Sequence, residues 1–342
     1  MPPSIPIVPL SELVHGQEAD LFVLLTAKEE LKTRENKPYW RVTFRDARRE
    51  VSFPIWDNSP LAADCREKWT PGVFYKVRAV YRETSYGPQL DIRRIREAVE
   101  ADAADGFDPA MLLPSSRFDA AAMFEELRSI AAEIPEEKLR TLVLTVLDTH
   151  RLPLLTCSAA RRHHHAYRAG LLEHVLSVAR TAVFLADKYD QYYPDLRPRL
   201  DKALVVAGAI LHDIGKIREL AEDAADIRYT PEGELVGHLL LGRDIVREAA
   251  RELDLDSEAL LRLEHVIISH QRLAEWGSPK PPMTPEALLV HYADDIDAKF
   301  HMFYTILRDD HGDGPLTSNK NLLHQKLYRG SEKGELRRMN GQ

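Results

Sequence analysis

Apolar and polar positions alternate with a period of two residues over the first hundred positions of the chain. This alternation predicts short strands bounded by turn residues. The predicted strands are Leu21–Ala27, Tyr39–Phe44, Val51–Trp56, Val73–Tyr81 and Leu90–Ile95. In the second of them, Trp40, Val42 and Phe44 fall on one face, whereas Tyr39, Arg41, Thr43 and Arg45 fall on the other. Five short strands predict a small closed β-barrel with an apolar interior and a basic, aromatic outer face.

The pattern changes to a helical period after the acidic stretch Glu97–Ser116. We expect a β domain over 1–97, a linker over 98–117, an all-α bundle over 118–308 and a loosely ordered basic tail over 309–342. Thr284 should cap the last helix, with Pro285 at its first position. The predicted helices are Asp119–Ala132, Glu136–Thr149, Ala169–Tyr189, Pro198–His212, Glu234–Leu253, Ser257–His270 and Pro285–Leu307.

Composition and charge narrow the class of protein. The net charge of −8 disfavours a general nucleic-acid binder, but residues 1–97 hold 16 Lys and Arg against 14 Asp and Glu, and the remainder holds 30 against 40. An acidic body suits a metal enzyme, because divalent cations offset carboxylates. No apolar run approaches the roughly 20 residues that span a bilayer, so we expect no membrane association. The two cysteines, Cys65 and Cys157, have no metal-ligand spacing, which favours a cytoplasmic protein.

Most of the 14 histidines lie in the helical part of the chain. In AGAILHDIGKIREL, His212 and Asp213 end an apolar helix that Gly215 should terminate. The pair could hold a metal ion, because a buried aspartate is costly without a partner. The alternative is a helix end at which the histidine complements the dipole and the aspartate is solvated.

Further histidines and aspartates occupy apolar settings on other predicted helices. They are His174, His238, His265, His270 and the three acids Asp294, Asp295 and Asp297. Helical bundles build metal sites from one or two ligands per helix. Five segments that each offer such a residue therefore predict a metal centre in the bundle core.

The ordered set of local sequences HHHAYRAGLLEH, LHDIGK, GH, IISHQRLAEWGSPKPP and HYADDIDAK resembles the HD-domain metallohydrolase superfamily. The closest resemblance is to the YhaM-type 3′→5′ exoribonucleases, which join an N-terminal OB fold to an HD domain. It runs from about Val14 to about Leu307. It implies a multi-domain protein with a small all-β OB-type barrel followed by an all-α HD-domain bundle.

The resemblance also implies roles for individual residues. His174, His212, Asp213 and Asp294 would hold a first ion, and Asp213, His238 and His270 a second, so that Asp213 would bridge the two. Lys216 would neutralise phosphate oxygens, and His164 and His165 would lie near the substrate or support the ligands. His265 is a less certain seventh ligand. Asp295 and Asp297 are expected to be solvated or structural, and Gln271 stands where the family often has a second histidine.

Two divalent ions are therefore expected as cofactors. The mixed imidazole and carboxylate set favours Mn²⁺ first, with Fe²⁺, Co²⁺, Ni²⁺ or Mg²⁺ as alternatives. The substrate implied is single-stranded RNA, with single-stranded DNA as a second choice and nucleoside 5′-monophosphates as products. Candidate RNA contacts on the barrel are Tyr39, Arg41, Arg45, Trp56, Tyr81 and Tyr86, although any one aromatic residue could belong to the core.

Three alternatives stay open at this stage. An HD-type nucleotidase or dNTPase would use the same metals on a small substrate, and a cyclic-nucleotide phosphodiesterase would share the chemistry. A nucleic-acid-binding protein with an inactive HD domain is the alternative from another class. Sequence leaves homo-oligomerisation and the function of the tail undecided.

Overall fold

The computed structural model describes residues 5–33, 35–161, 164–222, 227–310, 312 and 314–330. The chain forms two compact units, Met1–Ser115 with Glu222–Arg228 and Ser116–Ala221 with Tyr229–Gln342. The first contains the five-stranded sheet and the second contains the long helices. None of the described helices combines the length and the apolar composition needed to cross a bilayer.

The first unit is an antiparallel barrel of five strands. The strands are β1 (Glu18–Lys32), β2 (Pro38–Arg45), β3 (Glu50–Trp56), β4 (Phe74–Thr84) and β5 (Gly87–Glu97). They pair in the order β3-β2-β1-β4-β5, and β3 lies against β5 to close the sheet. This topology is that of an OB-type barrel. All five predicted strands are thus confirmed, as is the fold class of a small barrel followed by a helical region.

Alternation of side chains explains why the barrel closes around an apolar interior. Trp40, Val42 and Phe44 are buried in the core, as their shared face predicts, together with Val51 and Phe53 from the next strand. Interior positions of a small barrel are filled by such large side chains. Arg41, on the opposite face, is exposed.

One helix of this unit has no counterpart in the prediction. Helix α1 (Ala62–Lys68) follows β3. At the C-terminal end of this helix the Lys28 ammonium group donates hydrogen bonds to the carbonyls of Cys65, Arg66 and Trp69. A cation at a helix C-terminus satisfies carbonyls that have no partner within the helix. The stabilising residue lies 37 positions away from Cys65, so local sequence does not announce this helix.

The stretch assigned to a linker contains two short 3-10 helices, Glu100–Asp105 and Pro109–Leu112. Asp102 is buried and accepts two hydrogen bonds from Arg96 at 2.6 and 2.7 Å. The beginning of this stretch therefore packs as part of the barrel unit.

The second unit consists of helices joined by short connections. They are α2 (Ala120–Ala132), α3 (Glu137–Thr149), α4 (Arg151–Leu154), α5 (Gly170–Tyr192), α6 (Lys202–Leu211), α7 (Lys216–Glu219), α8 (Pro231–Leu235), α9 (His238–Ala250), α10 (Ser257–Ser269) and α11 (Pro285–Asp309). Two short strands, β6 (Leu220–Glu222) and β7 (Ile227–Tyr229), pair with each other. Thr284 caps α11 as predicted, by accepting a hydrogen bond from Ala287.

Two predicted helices differ from the observed ones. The helix expected from Pro198 begins at Lys202, because the Asp201 carboxylate caps the amide of Leu204. The helix expected over Glu234–Leu253 is broken at Gly237, whose φ of +78° is a left-handed conformation that glycine adopts readily. The break makes His238 the first residue of α9.

The described residues 314–330 of the C-terminal tail form no helix or strand element and are joined by local hydrogen bonds. Leu316 pairs with Tyr328, and the amide of Thr317 donates to the carbonyl of Leu327 at 2.9 Å. The Arg329 guanidinium donates to the Asp310 carboxylate at 2.8 Å. Local hydrogen bonds, which composition does not reveal, therefore connect the residues of this segment. The remainder, 331–342, lies outside the described residues.

Candidate metal centre

The predicted ligands converge in the interior of the helical unit. His174 lies in α5, His212 and Asp213 follow α6, His270 follows α10, and Asp294 lies in α11. All five are buried. His238, at the start of α9, is half-buried with its ring directed at the same cluster.

A first group of donor atoms surrounds one oxygen of Asp213. Its Oδ2 lies 3.5 Å from Nε2 of His174 and 3.5 Å from Nε2 of His212. The Oδ1 of Asp294 lies 3.2 Å from His174 Nε2 and 4.0 Å from His212 Nε2. Two imidazoles and two carboxylates thus face one another over distances that a single cation can bridge.

A second group surrounds the other oxygen of the same carboxylate. The Oδ1 of Asp213 lies 3.5 Å from His238 Nε2 and 3.5 Å from His270 Nε2. Both Asp213 Oδ1 and His238 Nε2 are buried without a hydrogen-bond partner among the described residues. Buried polar atoms seldom lack partners, and a cation between these atoms would satisfy both. The residues present therefore fit divalent metal binding, and Asp213 offers one carboxylate oxygen to each group.

The opposite nitrogen of each imidazole is held by an acceptor. His212 Nδ1 lies 2.8 Å from the carbonyl of Ala209, and His270 Nδ1 lies 2.8 Å from the carbonyl of Ile267. These contacts place the proton on Nδ1 and leave Nε2 free to bind a cation. The acceptors are helix carbonyls three residues earlier, so helix geometry itself aims these two rings.

Carboxylates hold the other two rings. Asp297 Oδ2 lies 2.7 Å from His174 Nδ1, and Glu219 Oε1 lies 3.0 Å from His238 Nδ1. The structural role expected for Asp297 is thus to orient the His174 ring. The sequence does not predict the corresponding role of Glu219 at His238. Glu219 is separated from His238 by 19 positions, so only the fold reveals the pairing.

The charges in the cluster favour a bound cation. Burial raises the pKa of Asp213, but the Lys216 ammonium and the imidazole of His212 outweigh it and hold the pKa well below its usual range. Burial likewise raises the pKa of Asp294, but the hydrogen bond to His174 together with the neighbouring imidazoles of His212 and His270 outweighs it and holds the pKa below its usual range. Both carboxylates are therefore ionised at neutral pH, which is the form that binds metal ions. Burial lowers the pKa of His270, which keeps this imidazole neutral and able to bind.

Helix α6 does not end at the glycine that the sequence predicts. Gly215 has helical dihedral angles and does not terminate α6; it precedes the short helix α7. Glycine is required for another reason, since a Cβ here would overlap the carbonyl oxygen of His238 and lie 2.5 Å from the amide of Gly242. This close approach brings Asp213 to the start of α9. The Lys216 ammonium then lies 2.7 Å from Asp213 Oδ2 in the interior.

His164 and His165 lie next to the first group. The ring of His164 is 5.2 Å from that of His174, and its Nε2 is buried without a hydrogen-bond partner among the residues described. Burial lowers the pKa of His164 to about 2. His165 is buried, with Nε2 3.2 Å from Asp297 and Nδ1 2.8 Å from the Tyr167 hydroxyl. His165 therefore supports Asp297, and His164 is the ring with a nitrogen still unpaired.

Three neighbouring positions stand outside the two groups. His265 Nε2 accepts the backbone amide of Met283 at 2.8 Å, so this nitrogen is not available to a metal. Asp295 forms a surface ion pair with Lys299 at 2.8 Å. Gln271 Nε2 lies 3.3 Å from His270 Nε2. The Gln271 amide therefore lies beside the second group, at the position where the family often has a second histidine.

Five of the six barrel residues predicted to contact RNA lie at least partly at the surface. Tyr39 and Trp56 pair across strands with ring centroids 5.1 Å apart, and Trp56 is 48% exposed. Arg41 is exposed, Arg45 is half-buried, and Tyr86 is 93% exposed.

The inclusion of Tyr81 in this set is wrong. The ring is only 3% exposed and lies in the barrel interior, under the guanidinium of Arg49. Val77 and Ala79 occupy the same face of β4, and both are fully buried. The period-two pattern of this strand could therefore have assigned Tyr81 to the core.

Comparison with solved structures finds a likeness confined to a small part of the chain. The second OB-fold domain of replication protein A from Methanococcus maripaludis is 15% identical and covers 28% of this chain and 99% of that chain, with a TM-score of 0.21. At that score the likeness carries no argument, and the barrel topology rests on its own strand order. Residues 171–299 match the family model described as HD domain. That range contains every residue of the two metal-binding groups, and an HD domain implies a metal-dependent phosphohydrolase.

Proposed function

We propose that the chain is a metal-dependent 3′→5′ exoribonuclease that hydrolyses single-stranded RNA, and single-stranded DNA as a second substrate, to nucleoside 5′-monophosphates. The observation that carries the proposal is that the two carboxylate oxygens of Asp213 face different histidines. Oδ2 lies 3.5 Å from His174 and His212, and Oδ1 lies 3.5 Å from His238 and His270. Paired divalent ions are a common means of cleaving phosphodiesters. They lower the pKa of the attacking water molecule, and they stabilise charge on both the attacking and the leaving oxygen. Mn²⁺ is the first choice for a mixed imidazole and carboxylate set.

The side chains of the centre have separable roles in this proposal. His174, His212 and Asp294 would hold one ion, and His238 and His270 the other, with Asp213 between them. The buried ammonium of Lys216 would offset phosphate charge while remaining paired to Asp213. His164, with its unpaired Nε2, would contact the substrate beside the first group. His165 would act through Asp297, which it touches.

The barrel would hold the single strand. The rings of Tyr39 and Trp56, which pair across the strands at an angle of 40°, offer an aromatic surface to bases, and Arg41 and Arg45 lie on the same face of β2 as Tyr39. Base stacking of this kind contributes about 1–3 kcal/mol per base and tolerates any sequence. Tyr86, at the turn between β4 and β5, would extend this surface.

A single assay separates this proposal from its alternatives. The protein is incubated with Mn²⁺ and with single-stranded RNA labelled at the 3′ or the 5′ end, with matched DNA and with free nucleotides. We expect 5′-labelled RNA to shorten stepwise and 3′-labelled RNA to release labelled mononucleotide at once. Phosphate release from mononucleotides without shortening of RNA would instead favour a nucleotidase. Absence of turnover with every divalent metal, together with retained RNA binding, would favour an inactive HD domain.

A further inference from the structure

A cavity of about 480 Å³ lies within the helical unit, on the side of His174 that faces away from the candidate metal groups. Asp297, which holds His174 Nδ1, forms part of its lining together with Ser177 and Glu173. None of the six proposed metal ligands lines it. The cavity is therefore a neighbour of the metal centre that shares one supporting residue with it.

The walls of the cavity are aromatic and only partly covered. Phe118, Phe300 and Tyr304 all line it, and each leaves more than a third of its surface exposed. Exposed aromatic rings around a concave space offer faces on which a planar ring can stack. The volume lies in the range of about 300–1,000 Å³ that is typical of small-molecule pockets.

Arg117 supplies a positive charge on the same wall. Its guanidinium carbon lies 4.8 Å from the ring centre of Phe118 and 5.7 Å from that of Tyr304. Within the described part of the chain Arg117 has no carboxylate at ion-pair distance, whereas Arg180, also in the lining, forms a two-pronged pair with Glu126 at 2.6 and 2.7 Å. An arginine that has no counter-ion and lies against aromatic rings can bind a phosphate group. Its planar guanidinium donates two parallel hydrogen bonds that match the spacing of the phosphate oxygens.

The floor of the cavity is formed by four polar residues of its lining, His165, Glu173, Ser177 and Asp297, which are connected to one another directly or through Tyr167, a residue outside the lining. The Tyr167 hydroxyl donates to Glu173 at 2.9 Å, His165 contacts both Tyr167 and Asp297, and the Ser177 hydroxyl donates to Asp297. These groups satisfy one another, so the floor is preorganised. Through Asp297 this network ends directly on the His174 ring.

We propose that this cavity binds a nucleoside 5′-monophosphate, with the base on Phe118, Phe300 and Tyr304 and the phosphate on Arg117, and that Asp297 couples its occupancy to metal binding at His174. The aromatic walls, the volume and the Arg117 guanidinium favour this class of ligand. Four carboxylates also line the cavity, and each already has a partner in the protein: Asp119 the amide of Ala122, Glu126 the guanidinium of Arg180, Glu173 the hydroxyl of Tyr167, and Asp297 the ring of His174. This binding site goes beyond the proposed function. The two are related only because nucleoside 5′-monophosphates would be the products of the proposed exoribonuclease. A site of this kind would let a nucleotide change the affinity of the first metal group without touching a metal ion.

Binding is tested first without metal, so that turnover plays no part. The full-length protein, treated with chelator, is titrated by calorimetry with AMP, UMP, adenosine and ribose 5-phosphate. We expect AMP and UMP to bind with one site per chain, adenosine about tenfold more weakly, and ribose 5-phosphate beyond detection. The order follows because stacking and the phosphate contact each contribute roughly a factor of ten or more.

Variants assign the binding to this cavity. R117Q should bring AMP to the affinity of adenosine, and F300A should weaken both about tenfold. The matched control F184A removes an exposed phenylalanine that does not line the cavity and should leave AMP binding unchanged. If AMP fails to bind, or if R117Q and F300A bind it as the wild type does, the proposal is overturned.

Coupling is tested through metal affinity. Saturating AMP should change the Mn²⁺ dissociation constant severalfold in the wild-type protein, and Mn²⁺ should change the AMP constant by the same factor, because linkage is reciprocal. D297N should abolish this mutual effect while leaving AMP binding measurable. E219Q, which alters the support of His238 on the other side of the centre, should weaken Mn²⁺ binding but leave AMP binding in metal-free protein as it is. Coupling that survives in D297N overturns the role of Asp297. Nucleotide binding that persists in a protein without nuclease activity would refute the proposed function alone.

Discussion

The barrel and the helical unit bury different kinds of side chain. Among the described residues, the barrel unit buries two carboxylates, Asp46 and Asp102, and each has partners within that unit: Asp46 accepts the backbone amides of Ser11, Arg48 and Arg49, and Asp102 accepts from Arg96. The helical unit buries a group of imidazoles and carboxylates that face one another, with Lys216 among them. The buried carboxylates of the barrel already have partners, whereas the helical interior contains polar atoms, Asp213 Oδ1 and His238 Nε2, that a cation would satisfy. Stability and chemistry should therefore respond to metal in one unit and not in the other.

Removal of the shared carboxylate should give the largest effect. Asp213→Ala deletes the oxygens that face both histidine groups, so we expect turnover of labelled RNA to fall to background and bound metal to fall with it. Asp213→Asn keeps the shape beside Lys216 and separates lost charge from lost packing. Asp295→Ala, a surface acid of α11, is the control and should behave as the wild type. Normal turnover in Asp213→Ala would refute the proposed centre.

Metal removal should distinguish the two units directly. A metal present at a thousandfold excess over its dissociation constant stabilises the state that binds it by about 4 kcal/mol. Hydrogen exchange should therefore accelerate in α5, α6 and α11 on chelation, while the amides of β1, β2 and β4 keep their rates. Equal acceleration in the barrel strands would contradict the contrast between the units.

A methyl group at Gly215 should give the next effect. Gly215→Ala would place a Cβ against the His238 carbonyl, and overpacking of this kind costs about 1–3 kcal/mol. Thermal unfolding of the helical unit should shift down, and metal affinity of the His238 group should weaken. Gly242→Ala is the milder variant at the same approach and should cost less, because its added Cβ would lie 3.2 Å from the amide nitrogen of Gly215. Similar losses in both variants would show that the close approach at Gly215 has no special part.

The smallest effect concerns an ion pair of the barrel. Arg78 donates two hydrogen bonds to Asp20 at 2.7 Å, and this contact holds the pKa of Asp20 below its usual value. The stabilisation is therefore present above about pH 4 and is lost as the pH falls through the lowered pKa. Asp20→Asn should cost about 1 kcal/mol at pH 7 and less at pH 3, as measured by urea unfolding of the barrel. A loss independent of pH would exclude the ionic contribution.

Sequence predicted the elements of both units better than their side-chain partners. Period-two alternation located the five strands because each residue of a half-buried strand reports its own face. The same pattern places Tyr81 with Val77 and Ala79 inside the barrel, so that error was avoidable. By contrast, Glu219 and Asp297 act on rings 19 and 123 positions away, and no local pattern contains that information. The break at Gly237 was missed because apolar periodicity continues on both sides of it.

The two ends of the segment between Glu219 and His238 are fastened to each other. The Glu219 carboxylate accepts the backbone amide of His238 at 2.9 Å, and the Gly215 backbone lies against the first turn of α9. These anchors fix the entrance and the exit of the excursion through β6, β7 and α8 independently of its length. A contact at each end of the excursion, rather than the run of residues between them, therefore sets the direction of the His238 ring.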